Sequence, residues 1–364
     1  MTEIIPLENS IMEYAWGSRI HIPALLGAAT PSMTPQAELW MGAHPKAPSR
    51  VADRTLLEII EEDPVGMLGP DTAKRFQGQL PFLFKLLAAE TPLSIQAHPN
   101  REQAKLGYAA EEADGLAPDA ANRNYKDDNH KPEILCALTD FWALNGFREL
   151  PPMIELLDEA RLDTIRDELE SLRQTPNKAE LRRFFGSIIE IDELKKDLLL
   201  KELLESAQEL QSTRPEYRWI LEIADLFPGD VGVLCVLLLN LVKLKPGQAM
   251  FCAAGDLHAY LRGFAIELMA NSDNVLRGGL TSKHVDVPEL MKTLTFECRG
   301  VDIVVPRGGR YYTTAEEFVL SVLRVYNHEI RHASPGFEIL VNVDGNATVS
   351  DSAGTCTCVR FSGQ

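Results

Sequence analysis

The sequence predicts a mainly β protein interrupted by a helical insertion, in the order β, then α, then β. Three observations carry this. Residues 1–150 hold short apolar runs broken by Pro and Gly. Residues 151–227 hold apolar side chains at three- and four-residue spacing with charges between them. Short strand-like runs then resume after Pro228. The simplest architecture is a β-sandwich or barrel split into 1–150 and 228–296, with 151–227 inserted and a second β domain at 297–364.

In the first part, Leu80–Leu87 and Leu93–Gln96, bounded by Pro81 and Pro92, and Ile134–Leu144 are the apolar segments. Their length and punctuation suit strands better than long helices. Pro151 and Pro152 open the helical stretch, and Pro152 fits a first helical turn. The amphipathic runs MIELLDEARLDTIRDELESLRQ, AELRRFFGSIIEIDELKKDLLLKELLESAQELQ and YRWILEIADLF follow, their charged faces reading as solvated surface. Val231–Val242 is apolar enough for a buried helix or a strand, which periodicity does not separate. Lys245-Pro-Gly-Gln248 and Ala254-Gly-Asp256 read as turns around a short strand at Ala249–Ala253. Residues 262–280, with several Gly and Asn, read as loops and strand ends. Val301–Val305, Phe318–Tyr326, Glu338–Val343 and Thr355–Phe361 are the later strand-like segments.

Formal net charge is −17, which argues against nonspecific nucleic-acid binding, since that needs a basic face. A local cationic cluster remains compatible with it, because exposed charges beyond about 10 Å are largely screened. No apolar window is long enough for a membrane span, and the N-terminus MTEIIPLENS lacks the basic start and apolar core of a signal peptide. A cytoplasmic protein without membrane partners is expected. The six cysteines are scattered, apart from Cys356 and Cys358 near the end, and read as reduced thiols.

Four segments offer chemistry. Gln96 and His98 are two residues apart, so on a strand both point to one face, where an amide oxygen and an imidazole can coordinate a metal. In Asn129-His-Lys-Pro-Glu133, Pro132 disfavours helix at Lys131 and leaves Glu133 at the boundary of an apolar run. Ala254-Gly-Asp-Leu-His258-Ala-Tyr260 sets a turn ahead of His258, with Tyr260 on the same face of a strand. In the segment 271–284, Arg277 is followed by two glycines that let a ligand approach, and Lys283 follows. Each alone has an ordinary alternative: a polar strand end, an exposed loop, a structural histidine, a charged surface loop. Together, Gln96, His98, Glu133 and His258 make a donor set suited to Zn²⁺ or another first-row divalent ion. Lys85, Lys131, Arg277 and Lys283 would line the space for an anionic substrate.

The motifs Tyr14-Ala-Trp-Gly17, Ala37-Glu-Leu-Trp-Met-Gly-Ala-His-Pro45, Leu80-Pro-Phe-Leu-Phe-Lys85 and Leu93-Ser-Ile-Gln-Ala-His-Pro99 carry a resemblance. So do Tyr125-Lys-Asp-Asp-Asn-His-Lys-Pro-Glu133, Asn145-Gly-Phe-Arg148, Pro228-Gly-Asp-Val-Gly232, Leu244-Lys-Pro-Gly247, His258-Ala-Tyr260 and Glu267-Leu-Met-Ala-Asn-Ser-Asp-Asn-Val-Leu-Arg277. In these segments, and over almost its whole length, the chain resembles the type I phosphomannose isomerases, zinc enzymes of mannose metabolism with a cupin-type catalytic domain. The resemblance implies a cupin-type jelly roll, an inserted helical domain and a C-terminal cupin-like domain. It implies Gln96, His98, Glu133 and His258 as ligands of one zinc ion and Arg277 as a catalytic arginine. Glu267 and Lys131 are further catalytic candidates, and Lys85, Tyr260, Asp273 and Lys283 substrate-binding ones. The ending departs from the family: Ser352-Ala-Gly-Thr-Cys-Thr-Cys358 and Ser362-Gly-Gln364 are unusual, so an incomplete C-terminal domain with an exposed edge is expected.

The implied reaction interconverts mannose 6-phosphate and fructose 6-phosphate through a cis-enediol, in a monomer. It needs a base, a means of polarising the carbonyl and a grip on the phosphate. The proton carrier stays open among Glu267, Lys131 and His98, the last a poor base once its lone pair binds metal. A cupin metal oxygenase and a non-catalytic sugar-phosphate-binding cupin are the alternatives. The glutamine and the cations argue against the first, and the complete residue set against the second.

Overall fold

The computed structural model describes residues 4–326, 329–334, 336–351 and 355–359. Its main body is a branched antiparallel 10-stranded sheet. The strands are β1 (Ser10–Met12), β2 (Glu38–Gly42), β3 (Phe82–Ala89), β4 (Ile95–Ala97) and β5 (Glu133–Ala137). They continue as β6 (Phe141–Phe147), β7 (Leu239–Leu244), β8 (Ala249–Cys252), β9 (His258–Ala270) and β10 (Leu276–Gly279).

The sheet forms two leaves that share β9. One leaf runs β1-β2-β3-β9-β5-β8 and the other β10-β4-β9-β6-β7. The second half of β9 pairs with β3 and β5, while its start pairs with β4 and β6. The strand changes leaf at Gly263, where φ is +138° and a Cβ would lie 2.6 Å from the Phe141 ring. Only glycine fits there. Residues 262–270, expected as loops and strand ends, therefore continue the longest strand. Their buried apolar residues alternate between two cores, so the pattern is that of a strand buried on both faces.

The period of two decides what faces inward. On β2, β3, β5 and β9 the residues Leu39, Met41, Phe84, Leu86, Ile134, Cys136, Ile266 and Leu268 belong to the outer core, which Tyr311, Phe318 and Leu320 cover. Their neighbours Leu87, Ala89, Leu135, Ala137 and Ala265 form an inner core with Tyr260. Glu38, Lys85, Glu133 and Glu267 share parity with that inner set, so each strand delivers one charge to the interior.

Helices Leu150–Glu159, Arg166–Gln174, Lys178–Ile189, Glu193–Leu210 and Pro215–Leu226 fill the expected helical stretch. Asn177 and Asp192 cap two of them through the backbone N–H groups of Glu180 and Lys195. Their apolar faces, including Leu156, Phe184, Phe185, Leu199 and Tyr217, pack against Ile95, Ala97, Leu144 and Ala259 of the second leaf. The run Val231–Val242 divides: a 3₁₀ turn (Val231–Leu234), a short helix (Cys235–Leu238), then β7. Apart from Asn240 it is apolar on both sides of the break, so neither period could mark the change.

Beyond residue 297 the ladders are short. Arg310–Tyr311 pairs with Leu320–Ser321, and Asn346–Ser350 with Thr355–Val359. Val301–Val305 makes one bridge, Val304 to Ala249, before Pro306 removes a donor. Among the described residues Glu338–Val343 is assigned no ladder, yet Ile339, Val341 and Val343 pack on the outer core with strand-like alternation. Of the strand expected at Thr355–Phe361, the residues after Val359 lie outside the described ones, as does Ser362-Gly-Gln364.

Candidate metal centre

Three inner-facing strand ends build the site. Across β4 and β9, Gln96 stands directly opposite His258, and on its other side Gln96 is opposite Arg277 of β10. His98 lies just past the end of β4, and Glu133 opens β5. Ligand atoms of His98, Glu133 and His258 all lie within 4.8 Å of one another, and each residue is at most 1% exposed. His98 Nε2 lies 3.3 Å from Glu133 Oε1, His258 Nε2 lies 3.5 Å from Glu133 Oε2, and the Gln96 amide is 3.5 Å from His258 Nε2.

The outer ring nitrogens fix the tautomers. His98 Nδ1 donates to the Asn274 carbonyl at 2.7 Å and His258 Nδ1 to the Asp256 carbonyl at 3.0 Å. A carbonyl only accepts, so both protons sit on Nδ1 and both Nε2 lone pairs point inward. They face a carboxylate, itself acceptor-only. His98 Nε2 is buried without a hydrogen-bond donor. Such a ring of lone pairs is unfavourable by itself and is what a divalent cation requires. Rotating the Gln96 amide turns its oxygen to the same point. The residues present fit a zinc-type ion with two nitrogens, a carboxylate and an amide oxygen.

The charges agree. Burial, with Lys131 next, pushes His98 down to about 4, so its ring stays neutral at physiological pH. Burial would raise Glu133, but Lys131 and then His98 outweigh it and hold its carboxyl well below the ordinary range. Lys131 Nζ is 3.0 Å from Glu133 Oε1, and the Tyr260 hydroxyl donates to Glu133 Oε2 at 3.0 Å.

Deeper along β3 and β9, Lys85 Nζ is 2.9 Å from Glu267 and 3.5 Å from Glu38. It also lies over the Trp40 ring, whose indole N–H donates to Glu38 at 2.8 Å. Burial would lower Lys85, but Glu267 and Glu38 outweigh it and keep the ammonium charged. Burial pushes the Glu267 carboxyl up, opposed by Lys85 and reinforced by Glu133.

Towards the surface, Arg277 and Lys283 form no ion pair among the described residues. Half-buried Arg277 has no carboxylate partner among the described residues, and burial lowers it. Burial, then Arg277, Lys126 and Lys46, lowers exposed Lys283. Asp273 is committed to Lys46 at 2.7 Å and approaches His44 at 3.6 Å.

Against this geometry, the family model for the catalytic domain of phosphomannose isomerase type I matches residues 4–150. The model for that family's helical insertion domain matches residues 156–239. The mannose-6-phosphate isomerase of Escherichia coli (strain K12) is 42% identical over 354 residues, covering 94% of this chain and 89% of the relative. The chain belongs to the type I phosphomannose isomerase family. The human mannose-6-phosphate isomerase is 36% identical over 322 residues, 80% of this chain and 73% of that protein. Among solved structures, a zinc-bound holo mannose 6-phosphate isomerase superposes with a TM-score of 0.78 at 42% identity, over 86% of this chain and 81% of that one. A point mutant of the Salmonella typhimurium phosphomannose isomerase reaches 0.87 at 38% identity, over 97% and 91%.

In this phosphomannose isomerase fold, Gln96, His98, Glu133, His258, Lys131 and Tyr260 converge on one point. Lys85 and Glu267 form a second cluster, Arg277 and Lys283 a cationic rim, and Asp273 an ion pair beside it. Glu38, Trp40, Lys46, Asp127 and Asn274 were not singled out by sequence. For Glu38 a signal existed: a charge inside the apolar run Glu38-Leu-Trp-Met-Gly42 must face a partner. Described cysteines Cys136, Cys235, Cys252 and Cys298 are free thiols, while the side chains of Cys356 and Cys358 lie outside the described residues.

Proposed function

We propose that the chain is a zinc-dependent aldose–ketose isomerase interconverting mannose 6-phosphate and fructose 6-phosphate through a cis-enediol. Gln96, His98, Glu133 and His258 would hold the ion. The observation that carries this is the convergence of two fixed Nε2 lone pairs and a carboxylate on one buried point, His98 Nε2 lacking any donor. When bound, the ion supplies a fixed positive charge that orients sugar oxygens and polarises the carbonyl.

The chain's own residues do the rest. Glu267, whose carboxyl burial raises, suits a proton carrier between C1 and C2 near neutral pH. Lys85 orients it. Lys131 is paired with Glu133, so it acts better as a fixed cation than as a base. Arg277 stabilises negative charge developing on the enediolate. Lys283, with Lys126 and Lys46 close enough to depress it, would hold the phosphate, and Asp273 keeps Lys46 in place. Tyr260 orients Glu133.

The same proposal takes 1–150 and 228–296 as parts of one catalytic domain, since β4 and β6 pair with β9 across the insertion. It takes the protein as a cytoplasmic monomer whose partner is a small sugar phosphate; the charge of −17 disfavours nucleic acid. No helix among the described residues is long and apolar enough to cross a membrane. The relatives compared carry isomerase names, and no observation favours an oxygenase or a sensor. The test is a coupled assay with mannose 6-phosphate, with and without chelator, alongside metal analysis. Turnover that chelation abolishes and zinc restores is expected; no turnover by zinc-loaded protein would reject the reading.

A further inference from the structure

Segments 126–129 and 271–274 lie side by side, and neither belongs to a strand. Side chains join them. Asn274 is fully buried. An asparagine amide offers two N–H donors and two acceptor positions, and here all are used. Its Oδ1 accepts from the backbone N–H groups of Lys126 at 2.6 Å and Asp127 at 3.2 Å. Its Nδ2 donates to the carbonyls of Asp127 at 2.7 Å and Asn129 at 2.9 Å. The Asp127 carboxylate extends the seam, accepting from the Ser272 hydroxyl at 2.8 Å and the backbone N–H groups of Asp273 at 2.7 Å and Asn129 at 3.0 Å. Asn129 then returns a bond to the Asn271 carbonyl at 3.2 Å.

The backbone carbonyl of this same Asn274 accepts the Nδ1 proton of His98. One residue therefore touches three parts of the site. Its carbonyl aims the His98 lone pair, its side chain holds the segment that runs into Lys131 and Glu133, and its own segment leads into β10, which carries Arg277. We propose that Asn274 is a positioning residue that assembles the metal cradle: it fixes the His98 tautomer and the placement of the Glu133-bearing segment as one unit. This rests on the metal-site reading above. Deep burial with every amide valence used makes the unit all-or-none, because a half-satisfied buried network is costly. A substitution at Asn274 then disturbs ligands from two different segments together.

The test is zinc affinity of the full chain, measured by chelator competition, beside the melting temperature of the metal-free protein. Asn274→Asp keeps the shape but turns Nδ2 into an acceptor facing two carbonyls and brings a charge beside Asp127. Zinc binding at least about tenfold weaker is expected. A Phe185→Leu variant in the helical block, matched in loss of melting temperature, is expected to keep wild-type affinity. Affinity within twofold of wild type in Asn274→Asp overturns the inference, as does an equal loss in Phe185→Leu. Should Asn274→Asp fail to fold, Ser272→Ala removes only the hydroxyl at the seam and decides instead: weaker zinc binding supports the inference and unchanged binding overturns it. Wild-type protein that takes up no zinc rejects the metal-site reading and this inference with it, whereas zinc-binding wild type with an unaffected variant rejects the inference alone.

Discussion

Replacing Lys85 with methionine should expose how the interior tolerates its carboxylates. Lys85 is 6% exposed and faces Glu267 at 2.9 Å and Glu38 at 3.5 Å. At an effective dielectric of about 20, each contact is worth about 5 kcal/mol before desolvation. Most of that is offset by burying the charges, but removing one partner leaves Glu267 (3% exposed) without its nearest cation. The variant can then keep a buried anion or protonate it. Protonation sets a ceiling. From an ordinary carboxyl value of 4.5, neutralising Glu267 costs about 5 kcal/mol at pH 8 and about 1 kcal/mol at pH 5. The sign follows from a folded-state value raised above the unfolded one: for an acid, stability is lost as pH rises above the unfolded value. For Lys85 itself, also raised, the stabilisation of the wild type is complete below its ordinary value of 10.5 and is lost only as pH rises through the folded value. Lys85→Met should therefore cost about 3–5 kcal/mol at pH 8 and about 1 kcal/mol at pH 5. Urea unfolding of the metal-free protein at both pH values, followed by tryptophan fluorescence, measures this. A loss below about 1 kcal/mol at pH 8, or equal losses at the two pH values, would refute the reasoning.

Arg277→Ala should lower kcat by roughly 10²–10³-fold while zinc content per chain stays at the wild-type level, since among the described residues no ion pair joins Arg277 to Glu133 and its neighbour Gln96 is held by β4 and β9; surviving activity removes the role given to Arg277. His258→Ala should reduce zinc per chain in elemental analysis after dialysis, and unchanged occupancy takes His258 out of the ligand set. Gly263→Ala should lose about 2–4 kcal/mol in thermal unfolding, because φ is +138° and the new methyl would meet the Phe141 ring at 2.6 Å; a neutral effect would mean the bend in β9 is not enforced there.

Local pattern made much of the fold legible. Proline-punctuated apolar runs marked β3, β5 and β6, and three-and-four spacing marked the helices from Leu150 to Leu226. Period-two spacing put Gln96 and His98 on one face, and the structure brings them to Glu133 and His258. What was hidden depends on distant partners. Gly263 looks like a loop glycine unless the packing of Phe141 against it is known. The conformational break inside Val231–Val242 has no local signal, because buried helix and buried strand are equally apolar. Glu38 and Asn274 take their meaning from Lys85 and from segment 126–129, remote in sequence. Glu338–Val343 alternates like a strand, but no ladder is assigned to it among the described residues. The family resemblance, carried by whole motifs, joined four separately ambiguous segments into one site.

The sharing of β9 between both leaves has a mechanical consequence. His258 sits at one end of that strand and Glu267 near the other, on either side of the Gly263 bend. The strand works as a ruler: the distance between the proposed ion and the proposed proton carrier is set by covalent bonds and ladder pairing, not by how domains dock. A slip of one residue would turn both side chains out of the interior together. The helical block enters the chain between β6 and β7, away from that ruler, so changes in its length need not alter the spacing of the reacting groups. On the proposed phosphate grip, changes at Lys46, Lys126 and Lys283 would alter how substrate is held while leaving the gauge of the chemistry untouched.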